Sequence, residues 1–246
     1  MSKPQPPADT QPVIDPELLL LAYRSGIFPM AETRDDPEIM WIEPRERAII
    51  PLGGLQLSRS LIKTLRRDRF EVTCNRAFEQ VIAGCAAPRD GEEADVSESW
   101  ISNRITASYV LLHKLGHAHS IECWREGRLV GGLYGVEFDR VFCGESMFSV
   151  ESDASKVALC WLVAAMRAAR MELLDCQFMT SHLASLGAVD LPQARYLELV
   201  QQACRPKAED PYVALPEGFA SLLSASDLDA SSSPGKVIAQ SLIQTS

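Results

Sequence analysis

Between His119 and Phe148 the chain carries three strand-like runs: His119–Trp124, Leu129–Phe138 and Val141–Phe148. Only the turn-forming stretches Arg125–Arg128 and Asp139–Arg140 separate them, so they read as successive strands of one sheet. Such a sheet needs cover for its apolar faces. The next segment supplies it, because Asp153 stands where a cap belongs on a long, nearly all-apolar helix running to about Arg170. Leu173–Phe178 follows as a short strand of buried character, and Pro192 opens a last helix to about Cys204. The order helix, three strands, helix, strand, helix implies an α/β or α+β layer fold with a mixed sheet flanked by helices.

Three earlier helices have local signatures. Pro16–Ser25 has Asp15 as cap, Pro16 at the first helical position and Gly26 as terminator. Ser58–Asp68 is capped by Ser58; Arg59, Lys63, Arg66 and Arg67 form one stripe, with Leu61, Ile62 and Leu65 on the other side. Asn103–Leu115 stops at Gly116. Residues 1–15 are rich in Pro and Gln and read as a disordered tail. Residues 206–246 turn polar and read as a flexible C-terminal tail. Between them, 16–45 reads as a small N-terminal domain and 46–205 as the main domain.

Charge and composition exclude several classes. The net charge of the 246 residues is −9, against a protein that coats nucleic acid indiscriminately. Yet the stretch from Arg59 to Arg69 has five basic residues and one acidic, while Asp90–Glu98 has five acidic and none basic. A cationic patch on an acidic protein suggests a polyanion held at one place. The longest apolar run, Val157–Met166, is about half a membrane span, so no membrane partner is expected. The seven cysteines form no C-x-x-C pair. With no apolar leader at the N-terminus, they fit reduced thiols in the cytoplasm.

Among candidate chemistries, His113, His117 and His119 invite a metal, but Gly116 interrupts the helix between the first two and no acidic residue completes a zinc site. No metal is expected. Cys176 sits in apolar surroundings that suppress thiol reactivity. There is no P-loop, dinucleotide fingerprint or nucleophile elbow. The most suggestive set is acidic. Asp175 and Gln177 are two residues apart on a strand and so share a face. Glu145 lies in an otherwise apolar strand, where a carboxylate needs a partner. That partner is either a substrate or a structural cation such as Lys156 or an arginine.

At these residues the sequence resembles the bacterial leucyl/phenylalanyl-tRNA–protein transferases. The shared segments are LLLAYRSGIFPM ending at Met30, LSRSL (57–61), HKLGHAHSIECWREGRLVGGLYGV (113–136), FCGESMFS (142–149), ASK (154–156), LLDCQ (173–177) and HLASLGA (182–188). The resemblance implies a GCN5-related acetyltransferase-like fold behind a small, abbreviated N-terminal domain. It implies transfer of Leu, Phe and, less readily, Met from aminoacyl-tRNA to proteins beginning with Arg or Lys. It implies no cofactor, and a monomer is expected. Products of such transfer are marked for degradation by the N-end rule.

Residue by residue, Asp175 and Gln177 match the family's catalytic pair, and Glu145 matches a carboxylate at the acceptor site. Trp100 and Tyr109 match aromatics near the aminoacyl-adenosine. Leu133, Phe142, Met147, Leu159, Leu162, Met166 and Leu174 match the lining of the side-chain pocket. Arg59, Lys63, Arg66 and Arg67 match the cluster that holds the tRNA body. Met30 and Met40 stand where the family often has Trp, and Leu133 where Met is frequent. A glutamine amide is too weakly basic to keep a proton. Gln177 is therefore expected to orient the attacking amine while Asp175 or the ribose 2′-hydroxyl takes its proton. The rivals are an acetyl-CoA-dependent N-acetyltransferase and a non-catalytic tRNA-binding protein. Val150–Ser155 lacks the glycines of a CoA pyrophosphate loop, and none of Glu145, Asp175 and Gln177 is missing.

Overall fold

In the computed structural model, which describes residues 13–88, 99–207, 211–227 and 233–243, the local signals place the first helices where the sequence puts them. Helix α1 (Pro16–Arg24) begins where the Asp15 carboxylate accepts from the Glu17 and Leu18 amides. A two-stranded ribbon follows, β1 (Phe28–Met30) with β2 (Met40–Ile42), and then β3 (Glu46–Ile50). Ser58 caps α2 (Arg59–Arg66) through the Leu61 amide, and Ser102 caps α4 (Asn103–Lys114) through that of Ile105. Between these helices lie two further elements, β4 (Glu71–Cys74) and α3 (Phe78–Ala86). The acidic run Asp90–Glu98 and residues 1–12 lie outside the described residues.

The three strand-like runs become β5 (Ala118–Arg125), β6 (Arg128–Phe138) and β7 (Val141–Ser149), paired antiparallel in sequence order. Glu126 and Gly127, both with positive φ (51° and 73°), close the first turn. Two such residues give a turn whose twist matches that of paired strands. Helix α5 (Ala154–Ala168) carries the chain across the sheet to β8 (Leu173–Gln177), which pairs parallel with β7. Asp153 occupies the N-cap position of α5 in a left-handed conformation and makes no capping bond; its carboxylate meets Lys156 at 3.5 Å. The remaining elements are α6 (Ser181–Ser185), β9 (Val189–Pro192) and α7 (Gln193–Ala203). Together β4-β5-β6-β7-β8-β3-β9 form one seven-stranded mixed sheet.

Strand alternation sends neighbouring side chains into two cores. Ile50, Leu133, Phe142 and Leu174 face α2 and α5 on one side. Ile49, Tyr134, Cys143 and Leu173 face α1, α3, α4 and α7 on the other. At Gly135 a Cβ atom would stand 2.4 Å from the Phe142 ring, so only glycine lets β6 and β7 approach there.

The expectation of a flexible tail from 206 onward does not hold where the structure describes it. Residues Leu215–Asp227 form α8 and Pro234–Ile243 form α9. Leu215, Phe219, Ile238, Ala239 and Leu242 are buried in the α5 core. Ser- and Gly-rich connections lower the average hydropathy of this stretch and mask the two apolar stripes. No helix among the described residues is long and apolar enough to cross a membrane. Phe219 packs its ring 5.1 Å from that of Trp161. Phe219→Ala should therefore cost about 3–5 kcal/mol in a urea titration, whereas a loose tail would register within about 0.5 kcal/mol.

Candidate active site

The parallel ladder between β7 and β8 is short. It runs through Val141↔Leu173, Phe142↔Leu174 and Cys143↔Asp175 and then stops, although β7 continues to Ser149 and β8 to Gln177. Past the last pair the strands form a fork, with Glu145 on one prong and Gln177 on the other. Each prong carries an extra residue. On β7, Gly144 and Ser146 pair with Gly135 and Tyr134 across β6, which leaves Glu145 without a partner of its own. On β8, Asp175 and Gln177 pair with Ile49 and Ala48, which leaves Cys176 over. Bulges of this kind turn side chains away from the regular alternation. Gln177 adopts φ +63°, a conformation that costs a non-glycine residue about 1 kcal/mol and needs support.

Asp175 gives that support. It is fully buried and all four of its lone-pair positions are taken. Oδ1 accepts from Arg47 Nε at 2.9 Å and from the Gln177 amide at 2.8 Å. Oδ2 accepts from Arg47 Nη2 at 2.6 Å and from the Tyr196 hydroxyl at 3.1 Å. Arg47 is itself fully buried between the rings of Phe28 and Tyr196, 4.8 and 4.5 Å from their centroids. Its Nη1 donates to the Gly26 carbonyl at 3.0 Å, which ties the end of α1 to the main sheet. Asp175 thus takes the structural arginine that the sequence offered as a partner for Glu145. With no lone pair free, it fits a holder of Gln177 better than an acceptor of a substrate proton.

Glu145 takes neither Lys156 nor an arginine among the described residues. Its Oε1 accepts from the Tyr23 hydroxyl at 2.7 Å and from Gln177 Nε2 at 2.9 Å. Its Oε2 accepts from the Tyr109 hydroxyl at 3.0 Å, and the two tyrosine hydroxyls also contact each other. Burial raises the Glu145 carboxyl to about 7 in spite of those three donors. Burial likewise keeps the phenols of Tyr23, Tyr109 and Tyr134 well above their usual range. The Tyr134 ring stands edge-on to Tyr109 at 5.7 Å, and its buried hydroxyl has no partner among the described residues.

The apolar residues expected to line a side-chain pocket also come together. Leu133, Phe142, Leu159, Leu162, Met166 and Leu174 are buried in the α5 core, and Met147 packs against it. Glu145 and Asp175, by contrast, turn toward the α1, α4 and α7 side. Trp100 is half-buried, and its carbonyl accepts from the Ala31 amide at 3.2 Å. Met40 and Trp41 are exposed on the ribbon, and Phe178, exposed beside Gln177, meets Phe28 edge-on at 5.5 Å.

The basic stripe divides. Arg59, Lys63, Arg66 and Arg67 are exposed and make no ion pair among the described residues. Lys63 and Arg67 line a surface recess of about 600 Å³ with Ser60, Thr64, Arg69 and Arg125. Arg59 and Arg66 are not among its lining residues. Arg69 and Arg125 share Glu151, at 3.3 and 2.6 Å. Of the histidines, His113 stacks on Phe78 and His119 pairs with Glu137 at 3.1 Å. No cluster of three or more potential metal ligands occurs among the described residues. Burial pushes the Cys176 thiol up, away from reactivity.

Sequence reasoning missed Tyr23, Arg47, Tyr196 and Arg125. Arg47 had a signal, a lone charge directly before the apolar run Ala48–Ile50. Tyr23 and Tyr196 had none, since their partners lie 122 and 21 residues away.

The chain matches two family models, leucyl/phenylalanyl-tRNA protein transferase over residues 49–201 and that family's N-terminal domain over residues 13–45. It is 59% identical to a leucyl/phenylalanyl-tRNA–protein transferase of Novosphingobium aromaticivorans, across 95% of this chain and 97% of that one. Relatives of the same description from Rhizorhabdus wittichii and Zymomonas mobilis are 56% and 53% identical. These cover 77% and 78% of this chain, and 75% and 70% of their own lengths.

A carboxyl that titrates near 4.5 in the unfolded chain and at about 7 when folded favours folding in its protonated form. Its contribution, about 3 kcal/mol, is full below pH 4.5 and lost as the pH rises through 7. Glu145→Gln should therefore flatten the stability profile between about pH 5 and about pH 8. Denaturant titrations of both proteins across that window check this.

Proposed function

The chain belongs to the leucyl/phenylalanyl-tRNA protein transferase family of aminoacyltransferases, and we propose that it moves Leu, Phe and, less readily, Met from aminoacyl-tRNA to proteins beginning with Arg or Lys. In this reading the product carries an N-end rule degradation mark, and the enzyme works in the cytoplasm. The observation that carries the reading is the fork: a carboxyl and an amide bonded across the end of a parallel strand pair, above an apolar core. In open α/β sheets, ligands collect at the carboxyl ends of such strands.

The reaction is aminolysis of an ester and needs no ATP, because the amide formed is the more stable linkage. The α-amine has an ordinary pKa of about 7.7–8.0, so on the order of a tenth is already neutral at pH 7. Placement therefore matters more than a strong base. Gln177, fixed by Asp175 and Arg47, is suited to orient the amine or the ester carbonyl. With Asp175 committed to Arg47, Glu145 is the carboxyl of the trio left for a cation from the acceptor. A charge-assisted bond in a desolvated cleft favours Arg or Lys as the first residue.

Donor choice would fall to the apolar wall of Leu133, Phe142, Met147, Leu159, Leu162, Met166 and Leu174. One methylene is worth only about 1–3 kcal/mol in such a pocket, so Leu, Phe and Met are accepted together. The cations Arg59, Lys63, Arg66 and Arg67, exposed and without an ion pair among the described residues, supply a surface for tRNA phosphates, and Arg69 and Arg125 extend it.

Purified protein with radiolabelled leucyl-tRNA should label an Arg-initiated peptide and spare a Gly-initiated one; equal labelling, or none, contradicts the proposal. In the same assay, Glu145→Gln should raise the acceptor KM while leaving tRNA affinity within about twofold. Lys63→Ala and Arg67→Ala should each weaken tRNA binding and lower the salt slope by about one, read by filter binding across a salt series.

A further inference from the structure

Three oxygen–oxygen contacts close a triangle at the fork: Tyr23 to Glu145 Oε1, Tyr109 to Glu145 Oε2, and Tyr23 to Tyr109. Each contact needs one proton between its oxygens. The two phenols bring two protons, and an ionised carboxylate brings none. With Glu145 ionised, one edge of the triangle would set two buried oxygens against each other with no hydrogen between them. A protonated Glu145 supplies the missing one. Because Oε1 already accepts from the Gln177 amide as well as from Tyr23, the extra proton belongs on Oε2. The ionised carboxylate accepts from both phenols; in the protonated state the Tyr109 bond is reversed, so that the bonds run in one sense, from Oε2–H to Tyr109, from Tyr109 to Tyr23, and from Tyr23 back to Oε1.

We propose that Tyr23 and Tyr109 close a ring that holds Glu145 protonated at rest, and that Glu145 releases this proton to solvent when the cationic first residue of an acceptor docks. The tyrosines are positioning residues. The proton occupies the place of the acceptor's charge, so the empty site never contains an unpaired buried carboxylate, which would be costly. When guanidinium or ammonium arrives, one positive charge replaces another.

The surroundings agree with a neutral carboxyl. Tyr23 faces Glu145 from α1, Tyr109 from α4, Tyr134 from β6, Gln177 and Asp175 from β8, and Cys143 from its own strand. Asp175 is the one of these that bears charge, and its sign opposes ionisation of Glu145. Arg47 is spent on Asp175. Tyr23 comes from residues 13–45, so the small N-terminal domain contributes a hydroxyl to the ring.

The docking half rests on the transfer reading above, while the ring does not. Infrared difference spectroscopy of the full chain can follow the protonated-carboxyl band that Glu145→Gln removes. The band should be present at about pH 6 and vanish at a midpoint near the Glu145 pKa. Tyr23→Phe and Tyr109→Phe should each lower that midpoint by about one pH unit, since opening the ring removes a contact that only the protonated state satisfies. Tyrosines that merely donate to a carboxylate would, when lost, raise it. A midpoint that rises or stays put in both variants, or a wild-type spectrum without the band, overturns the ring. The wild-type spectrum alone decides if neither variant folds. An Arg-initiated peptide should abolish the band and a Gly-initiated one should leave it. A band that survives the Arg peptide while the tyrosine variants behave as stated overturns acceptor recognition by Glu145 and leaves the ring standing.

Discussion

Arg47 and Asp175 are opposite charges buried without any exposed surface. Removing such ions from water costs several kcal/mol each, and only two-point geometry with every remaining lone pair satisfied offsets it. Here both conditions are met, and four segments of chain are drawn together to meet them. Arg47 comes from β3, Asp175 from β8, Tyr196 from α7, and Gly26 with Phe28 from the stretch that leads from α1 into β1. The pair therefore fixes where the N-terminal segment docks. It also fixes the left-handed turn at Gln177, because the same carboxylate oxygen that accepts from Arg47 Nε accepts from the Gln177 amide.

From that anchor the site follows by short steps. Gln177 held in one conformation reaches across the fork to Glu145. Docking of α1 on the same anchor brings Tyr23 to the other side of that carboxyl. The end of the β7–β8 ladder leaves the space between the prongs free of backbone hydrogen bonds. A polar cluster is thus set on one face of the sheet and an apolar wall on the other. An ester whose acyl chain is greasy and whose reacting carbonyl is polar needs both environments side by side.

Much of this architecture was legible in the sequence because its causes are local. Asp15, Ser58 and Ser102 sit three residues or fewer from the amides they cap. Tight turns announce the β5–β6–β7 meander, and an unbroken apolar run announces α5. Spacing alone suggested that Asp175 and Gln177 act together, though they meet through a bulge and a backbone amide and not as neighbours on a flat strand. What the sequence did not disclose is non-local. Nothing near Arg47 points to a carboxylate 128 residues on. The bulge at Glu145 depends on how two strands register, which no window of residues displays. In the C-terminal stretch, Leu215, Phe219, Ile238 and Leu242 were visible but diluted by polar linkers. Helix α3 was overlooked although Phe78, Val81, Ile82 and Cys85 carry helical spacing.

The central claim is that the fork between β7 and β8 receives the aminoacyl ester. The most direct measurement is a crystal structure with a leucyl-adenosine analogue whose ester oxygen is replaced by nitrogen, so that the linkage survives. The account predicts the acyl carbonyl within hydrogen-bonding distance of the Gln177 side chain and the leucyl chain against Phe142 and Met147. Analogue bound away from the fork, with Gln177 still bonded to Glu145 and the apolar wall closed, would contradict it.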